Sequence, residues 1–210
     1  MTARPVLFVL AGVNGAGKSS IGGHLLARAG MAWFNPDTFA RDLMAATDGS
    51  QTEANAIAWQ EGMDRLGQAV AEGRSHAFET TLGGRTVPAA IAAAAASHDV
   101  LMWFCGLSSP EKHVERVRAR VAAGGHDIPE AKIRERYVTS LENVIALMPK
   151  LTRLQVYDNS VDADANGTVP DPILVADVHD GQLTWPTDLR DMQLTPDWAK
   201  PLLEAALTPG

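Results

Sequence analysis

Short apolar, partly β-branched runs alternate with helix-period stretches along this chain, which predicts an α/β fold built on a mainly parallel sheet. Two further observations sharpen that class. A glycine-rich turn separates the first apolar run from the first helical pattern, and the alternation gives way after Tyr157 to a polar, Asp-, Gly- and Pro-rich stretch. With 210 residues, 46% of them hydrophobic, the chain can bury one sizeable core. The prediction is therefore a sheet of about five strands sandwiched by helices, with a helical lid and a short C-terminal β-hairpin appendage.

The run Pro5–Gly12 is continuously apolar, as a strand buried on both faces requires. Lys18–Ala29 reads as the helix that follows the turn, and Met31–Asn35 as a second strand ending at Pro36 and Asp37. Helical patterns cover Thr38–Ala46 and Thr52–Glu72, the second carrying Ile57, Met63, Leu66 and Val70 on one side. Ser75–Leu82 is the third strand. Thr86–Ser97 is an alanine-dominated helix, because alanine has the highest helix propensity. Asp99–Gly106 is the fourth strand. Pro110–Ala123 and Pro129–Leu147 are helices with Pro in or beside the first turn, joined by the loop Gly124–Ile128. Leu151–Asp158 is the fifth strand. Beyond it, Pro172–Trp185 alternates around Asp180-Gly181, a hairpin signal. Residues 1–160 thus form the main domain, with a lid at about 110–147, and 161–210 an appendage packed on it.

A net charge of −7 with a pI near 5.3 argues against nucleic acid as a partner. Any anion must be met by a local cluster of cations, and lysine is scarce, with five against thirteen arginines. The lone Cys105 can form neither an internal disulfide nor a cysteine-based zinc site, and its apolar run marks it as a core residue. His24, His76, His98 and His179 have no metal-ligand spacing. No segment reaches the roughly 18 apolar residues of a membrane helix, so a cytoplasmic location without membrane contact is expected.

Gly12-Val13-Asn14-Gly15-Ala16-Gly17-Lys18-Ser19 satisfies the Walker A pattern of the P-loop NTPases and kinases, between a strand and a helix. Gly12, Gly15 and Gly17 allow the backbone to curl so that amides of Asn14, Ala16 and their neighbours point at phosphate oxygens. The helix N-terminus at Ser19 and Ser20 adds a partial positive charge. Lys18 is expected to reach the β- and γ-phosphates of ATP, and Ser19 to hold Mg²⁺. A GTPase needs an Asn/Thr-Lys-x-Asp tetrad, which does not occur, and Asp164–Gly167 lies in the polar loop without a preceding strand. Motor ATPases place an acidic pair after an apolar strand, whereas Val100–Gly106 ends in Cys105-Gly106. A kinase for a small hydroxyl-bearing molecule is the class left.

Such a kinase needs a base for the acceptor hydroxyl. Asp37 stands at the end of the second predicted strand, where ligands of open α/β sheets lie, and suits both a base and a helix N-cap. Glu79 ends the third strand at the same edge; it can meet acceptor hydroxyls, help hold magnesium, or make local hydrogen bonds. Arg116 and Arg120 share a helix face and, together with Arg134 on the next helix, bracket the Gly124-Gly125 hinge. They suit either a lid that neutralises the transferring phosphoryl group or a solvated face paired with Glu111 and Glu115. His126 can contact phosphate or substrate, or order its loop.

Five phrases together resemble the zeta toxin family of P-loop kinases, in its chromosomal branch once labelled a predicted ABC-type ATPase. They are Leu10–Ser19, Asn35-Pro36-Asp37-Thr38, Phe78-Glu79-Thr80-Thr81-Leu82, Gly124–Pro129 and Val156-Tyr157-Asp158-Asn159-Ser160, spanning about three quarters of the chain. The resemblance implies transfer of phosphate from ATP to a sugar hydroxyl of UDP-N-acetylglucosamine or a related UDP-sugar, and a small antitoxin protein as partner. It implies Lys18 and Ser19 as Walker residues, Asp37 as base, Glu79 and Thr81 as substrate contacts, and Arg116 and Arg120 as lid arginines. In the founding toxins an Arg directly follows the Glu-x-Thr-Leu phrase. Here Gly83-Gly84 intervene before Arg85, so Arg85 as a substrate contact comes with a differently shaped pocket. Two other functions fit the same motifs: a nucleotide-dependent binding or switch module, and a housekeeping or antibiotic kinase of the same fold.

Overall fold

A computed structural model of the chain describes residues 3–19, 22, 26, 30–162 and 170–208. Six strands form one sheet: β1 (Val6–Ala11), β2 (His76–Thr80), β3 (Asp99–Gly106), β4 (Arg153–Asp158), β5 (Ile173–His179) and β6 (Gln182–Trp185). Their order across the sheet is β2-β1-β3-β4-β5-β6. The first four are parallel, and β5 and β6 join antiparallel. Seven α-helices accompany them among the described residues: α1 (Pro36–Ala46), α2 (Gln51–Ala71), α3 (Thr86–Ala94), α4 (Pro110–Ala122), α5 (Glu130–Leu147), α6 (Leu189–Gln193) and α7 (Lys200–Leu207).

β1 shows why the sheet is central. Leu7, Val9 and Ala11 enter the main core with Met102, Phe104 and Leu154, while Leu10 turns to the opposite layer with Leu26 and Ala77. A strand covered on both faces has no solvent side for a polar residue, hence the unbroken apolar run. β1 lies between β2 and β3, so the chain leaves it on one side for β2 and returns on the other for β3. That reversal opens a crevice at the carboxyl end of β1.

Two sequence expectations change. Met31–Asn35 is not a strand: only Phe34 bridges to Phe78, through Phe34 N–H to Ala77 O at 2.8 Å and Glu79 N–H to Phe34 O at 2.9 Å. Pro36, which lacks an N–H, begins α1 immediately afterwards and leaves no room for further pairing. The sheet instead gains its extra strands from the hairpin, whose β5 pairs with β4 from Arg153 to Asp158. Val175, Ala176, Val178, Trp198 and Leu202 of the C-terminal segment are buried in the main core. Of the predicted Lys18–Ala29 helix, Lys18, Ser19, Gly22 and Leu26 are helical and the remainder lies outside the described residues, Ser20 included.

Candidate active site

The glycine-rich turn lies at the carboxyl end of β1. Gly12 has φ of 137°, and a Cβ on it would collide with the carbonyl oxygen of Cys105 on β3. No other residue fits there without moving backbone. Gly15, at φ 83°, passes so close to α4 that a Cβ would stand 3.0 Å from His113 O. The loop is closed by Ala16 N–H to Val13 O at 3.1 Å. Val13 packs with Val114, Val117 and Ile133, fixing the loop to α4 and α5.

Lys18 is buried, with its ammonium 3.3 Å from Val13 O and 3.6 Å from Glu79 Oε1. Ser19 Oγ lies 2.8 Å and 3.1 Å from the two oxygens of Glu79. Asn35 completes the cluster, donating from Nδ2 to Glu79 Oε2 at 2.9 Å and to Ser19 Oγ at 3.2 Å. The sequence brings Glu79 to the walls of the phosphate loop, beside the Walker serine. Ser19 and Glu79 offer hard oxygen donors on one side of the loop, a set that suits Mg²⁺, which takes few protein ligands and keeps phosphate and water oxygens. Among the described residues no group of three or more His, Cys, Asp or Glu gathers as a metal site.

Asn35 also decides the role left open for Asp37 at the helix start. Its Oδ1 accepts from Asp37 N–H at 2.9 Å and Thr38 N–H at 3.1 Å, so Asn35 is the N-cap of α1. Asp37 sits one position into the first turn with its side chain free of capping, half-exposed and on the wall of a cavity of about 350 Å³. Asn14, Lys18, Glu79 and Thr81 line the same cavity. The far wall is α2, with Trp59, Met63 and Leu66, joined by Phe34 and Phe78. The roof is His126, Asp127 and Ile128 of the loop with Lys132 and Arg136 of α5. Five predicted site residues thus share one cavity.

The arginines divide. Arg120 does not line the cavity itself but lies 4.0 Å from Asp37 Oδ2 and donates to His126 O at 3.2 Å, both residues of the cavity wall. Gly125 has no side chain there because a Cβ would stand 2.7 Å from Arg120 Cγ. Arg116 shares the helix face but turns to the segment after β4, donating to Val161 O at 2.8 Å and Asp162 Oδ1 at 3.3 Å. Lys112 and Arg116 hold the Asp162 carboxyl below its usual range by hydrogen bonding. Arg85 is exposed at the N-cap of α3 and does not line the cavity.

Sequence reasoning passed over Arg136. It is half-buried, donates from Nη1 to Asn14 Oδ1 at 2.7 Å, and reaches the cavity across Gly83. A Cβ on Gly83 would stand 2.5 Å from Arg136 Cγ, so Gly83 is the notch across which this side chain passes. Burial depresses its pKa, opposed by the Asp37 carboxylate. Side chains of α5 grip the same turn: Thr139 donates to Gly83 O, Ser140 to Thr81 O, and Asn143 to Leu82 O and Gly84 O. Leu82 there has φ of 53°, an outlying conformation for a bulky residue that these bonds sustain. The second half of α5 is therefore fixed, and the loop before it is held as well, Ile128 packing against the cluster of Val13 and Ile133 while His126 O accepts from Arg120.

A buried parallel strand, a glycine-rich loop at the switch point and a lysine inside that loop define a P-loop NTPase or kinase fold. The profile of the AAA domain family matches residues 7–137, and the chain belongs to that family. No curated protein matches it. Among solved structures, a chain of the AvrRxo1-ORF1:AvrRxo1-ORF2 complex with sulphate ions is similar, at a TM-score of 0.61 and 18% identity. That match covers 93% of this chain and 65% of the other. The complex with ATP gives 0.63 at 16% identity, over 97% and 64% of the two chains. A chain of the PezAT chromosomal toxin-antitoxin system of Streptococcus pneumoniae gives 0.58 at 14% identity, over 97% and 88%. These likenesses are of fold, and this chain spans about two thirds of the AvrRxo1 chain lengths.

Proposed function

We propose that the protein is an ATP-dependent kinase of the zeta toxin type, transferring the γ-phosphate of ATP to a hydroxyl of a nucleotide-sugar such as UDP-N-acetylglucosamine. The observation that carries this reading is one cavity holding both the Walker lysine and an aspartate released from helix capping. A nucleotide-dependent switch needs the phosphate loop but not a cavity that runs on from Lys18 to Asp37 and the apolar wall of Trp59, Met63 and Phe78.

In the proposed reaction the acceptor hydroxyl gives its proton to Asp37 as its oxygen bonds to the γ-phosphorus. The bond from that phosphorus to the β,γ-bridging oxygen breaks, and ADP leaves with the electron pair. Lys18 and the loop amides hold the phosphate chain, while Arg136 and Arg120 stand where charge builds on the transferring group. Ser19 and Glu79 would hold Mg²⁺, which supplies neutralisation of phosphate charge. The apolar wall of Trp59, Met63, Phe34 and Phe78 suits a planar ring better than a bare sugar. A small antitoxin that blocks nucleotide access is the protein partner this reading carries.

Incubation with ATP, Mg²⁺ and a metabolite extract, followed by mass spectrometry, is expected to show a species gaining one phosphate. Asp37→Ala is expected to lower that transfer by about 10²–10⁴-fold while ATP still binds. Full transfer by Asp37→Ala would remove the base, and no phosphorylated species would remove the kinase. Repeating the assay with the product of a neighbouring small reading frame tests the antitoxin through loss of turnover.

A further inference from the structure

A phosphate-binding loop works by turning successive N–H groups inward, which forces the intervening carbonyls outward into the protein. Buried carbonyls need donors, and here two of them find side chains brought from distant elements. His113, 1% exposed on α4, places Nδ1 2.9 Å from Asn14 O. Asn159, 8% exposed just past β4, donates from Nδ2 to Ala16 O at 2.9 Å. Asn14 and Ala16 are alternate residues of the loop, so both outward carbonyls are tied, one from each flank.

We infer that His113 and Asn159 are positioning residues of the phosphate loop, acting through Asn14 O and Ala16 O to aim its amides at a polyphosphate. Neither side chain lines the cavity, so neither touches acceptor, and their effect passes through the loop.

The chemistry of His113 favours this over a purely structural place. A carbonyl only accepts, so the imidazole carries its proton on Nδ1. Its Nε2 is buried with no hydrogen-bond partner among the described residues, a cost that an apolar side chain would avoid. The ring shares a small, mostly apolar cavity with Val13, Phe104, Tyr137, Leu141 and Trp198, where Phe or Leu would serve packing alone. Burial holds the His113 pKa down at about 4, so the ring is neutral at pH 7 and keeps its single proton on the loop. Asn159 gives the Tyr157–Ser160 phrase a physical purpose. Asp158 and Ser160 bond to each other, Ser160 Oγ accepts from Ser108 N–H at 2.7 Å, and Asn159 is left pointing at the loop.

The inference rests on the nucleotide reading, so wild-type affinity is measured first. Full-length protein is titrated with ATP and with AMP by displacement of a fluorescent ATP analogue, because the loop amides serve the phosphate chain beyond the first phosphate. His113→Phe and Asn159→Ala are each expected to weaken ATP binding about tenfold, with AMP changed less than about twofold. His113→Asn, whose amide reaches the place of Nδ1, is expected to restore ATP binding to within about threefold of wild type. An ATP-to-AMP ratio unchanged in folded His113→Phe and Asn159→Ala overturns the inference. If His113→Phe does not fold, Asn159→Ala and His113→Asn decide by the same ratio. Wild-type protein that binds neither nucleotide overturns the reading beneath it as well, and that result is separate from a change in ratio.

Discussion

The two ends of the cavity are built on opposite principles. At the phosphate end four loop residues are tied to partners inside the protein: Lys18 on Val13 O, Ser19 on Glu79, Asn14 on Arg136, Ala16 on Asn159. At the acceptor end Asp37 is freed from capping and half-exposed, Trp59 is 48% exposed, and Lys132 holds only the neighbouring Glu135. On the proposed kinase reading, the contrast separates what every turnover would share from what a particular acceptor would complete. A preorganised cradle lowers the ordering cost of binding, whereas an open wall waits for the ligand to bury it.

The sharpest way to break this contrast is to disorder the ordered end. Gly12→Ala adds a methyl against Cys105 O at φ 137°. Strain of that conformation and backbone overpacking together cost about 3 kcal/mol or more. The expected result is loss of measurable ATP binding with a lowered melting temperature. A folded Gly12→Ala protein that binds ATP within about threefold of wild type would show that the loop is less constrained than its contacts indicate.

How much of this was readable follows the same division. The phosphate loop was legible because its chemistry is local: a flanking strand, glycine spacing and a following helix lie within the stretch from Pro5 to Ala29. Asp37 was legible as a candidate, but its competing role was settled by Asn35, two residues earlier, and the cue was the Asn35-Pro36 pair, a cap residue before a first-turn proline. Arg116 and Arg120 share a face as their spacing predicts, yet their partners differ because docking of Val114 and Val117 on Val13 sets which way that face turns. Arg136 and His113 were missed since they reach Asn14 across 122 and 99 residues, and no single-sequence period encodes such contacts. The hairpin was legible from Asp180-Gly181, whereas its pairing with β4 was not. Met31–Asn35 has the composition of a strand and only Phe34 pairs, since α1 starts too soon.

A smaller effect probes the clamped end through acidity. Burial lowers the His113 pKa from 6.5 to about 4, reinforced by the charges of Lys18 and Arg116 and opposed by the bond to Asn14 O. The unfolded chain therefore takes up this proton first as pH falls, and stability is lost on acidification between 6.5 and about 4. By pKa linkage the full loss is about 3 kcal/mol. Urea unfolding at pH 7 and pH 4.5 is expected to show a clearly smaller drop for His113→Asn, which retains a donor but does not titrate. An identical drop in both proteins would place the acid sensitivity elsewhere, with half-buried His76, shifted in the same direction by burial, the next group to replace.

The open end is probed by its aromatic wall. Trp59 stands on α2 facing the cavity with Met63 and Leu66, beside Phe34 and Phe78, and Arg65 lies 4.8 Å over the Phe34 ring from the same helix. A ring stacked on such a platform contributes about 1–3 kcal/mol, and one lost at the lower end corresponds to about a tenfold change in affinity. With UDP-N-acetylglucosamine as the probe, Trp59→Ala is expected to raise the acceptor KM about tenfold while leaving the KM for ATP unchanged, and Trp59→Phe to recover part of the loss. N-acetylglucosamine, which has the sugar but no planar aromatic ring, should be far less sensitive to either change. If Trp59→Ala alters both acceptors equally, the wall shapes the chamber without reading a ring, and the acceptor is a smaller, non-aromatic alcohol. If it raises the KM for ATP instead, the two ends of the cavity are not separate, because a residue of the open wall would then be governing the clamped one.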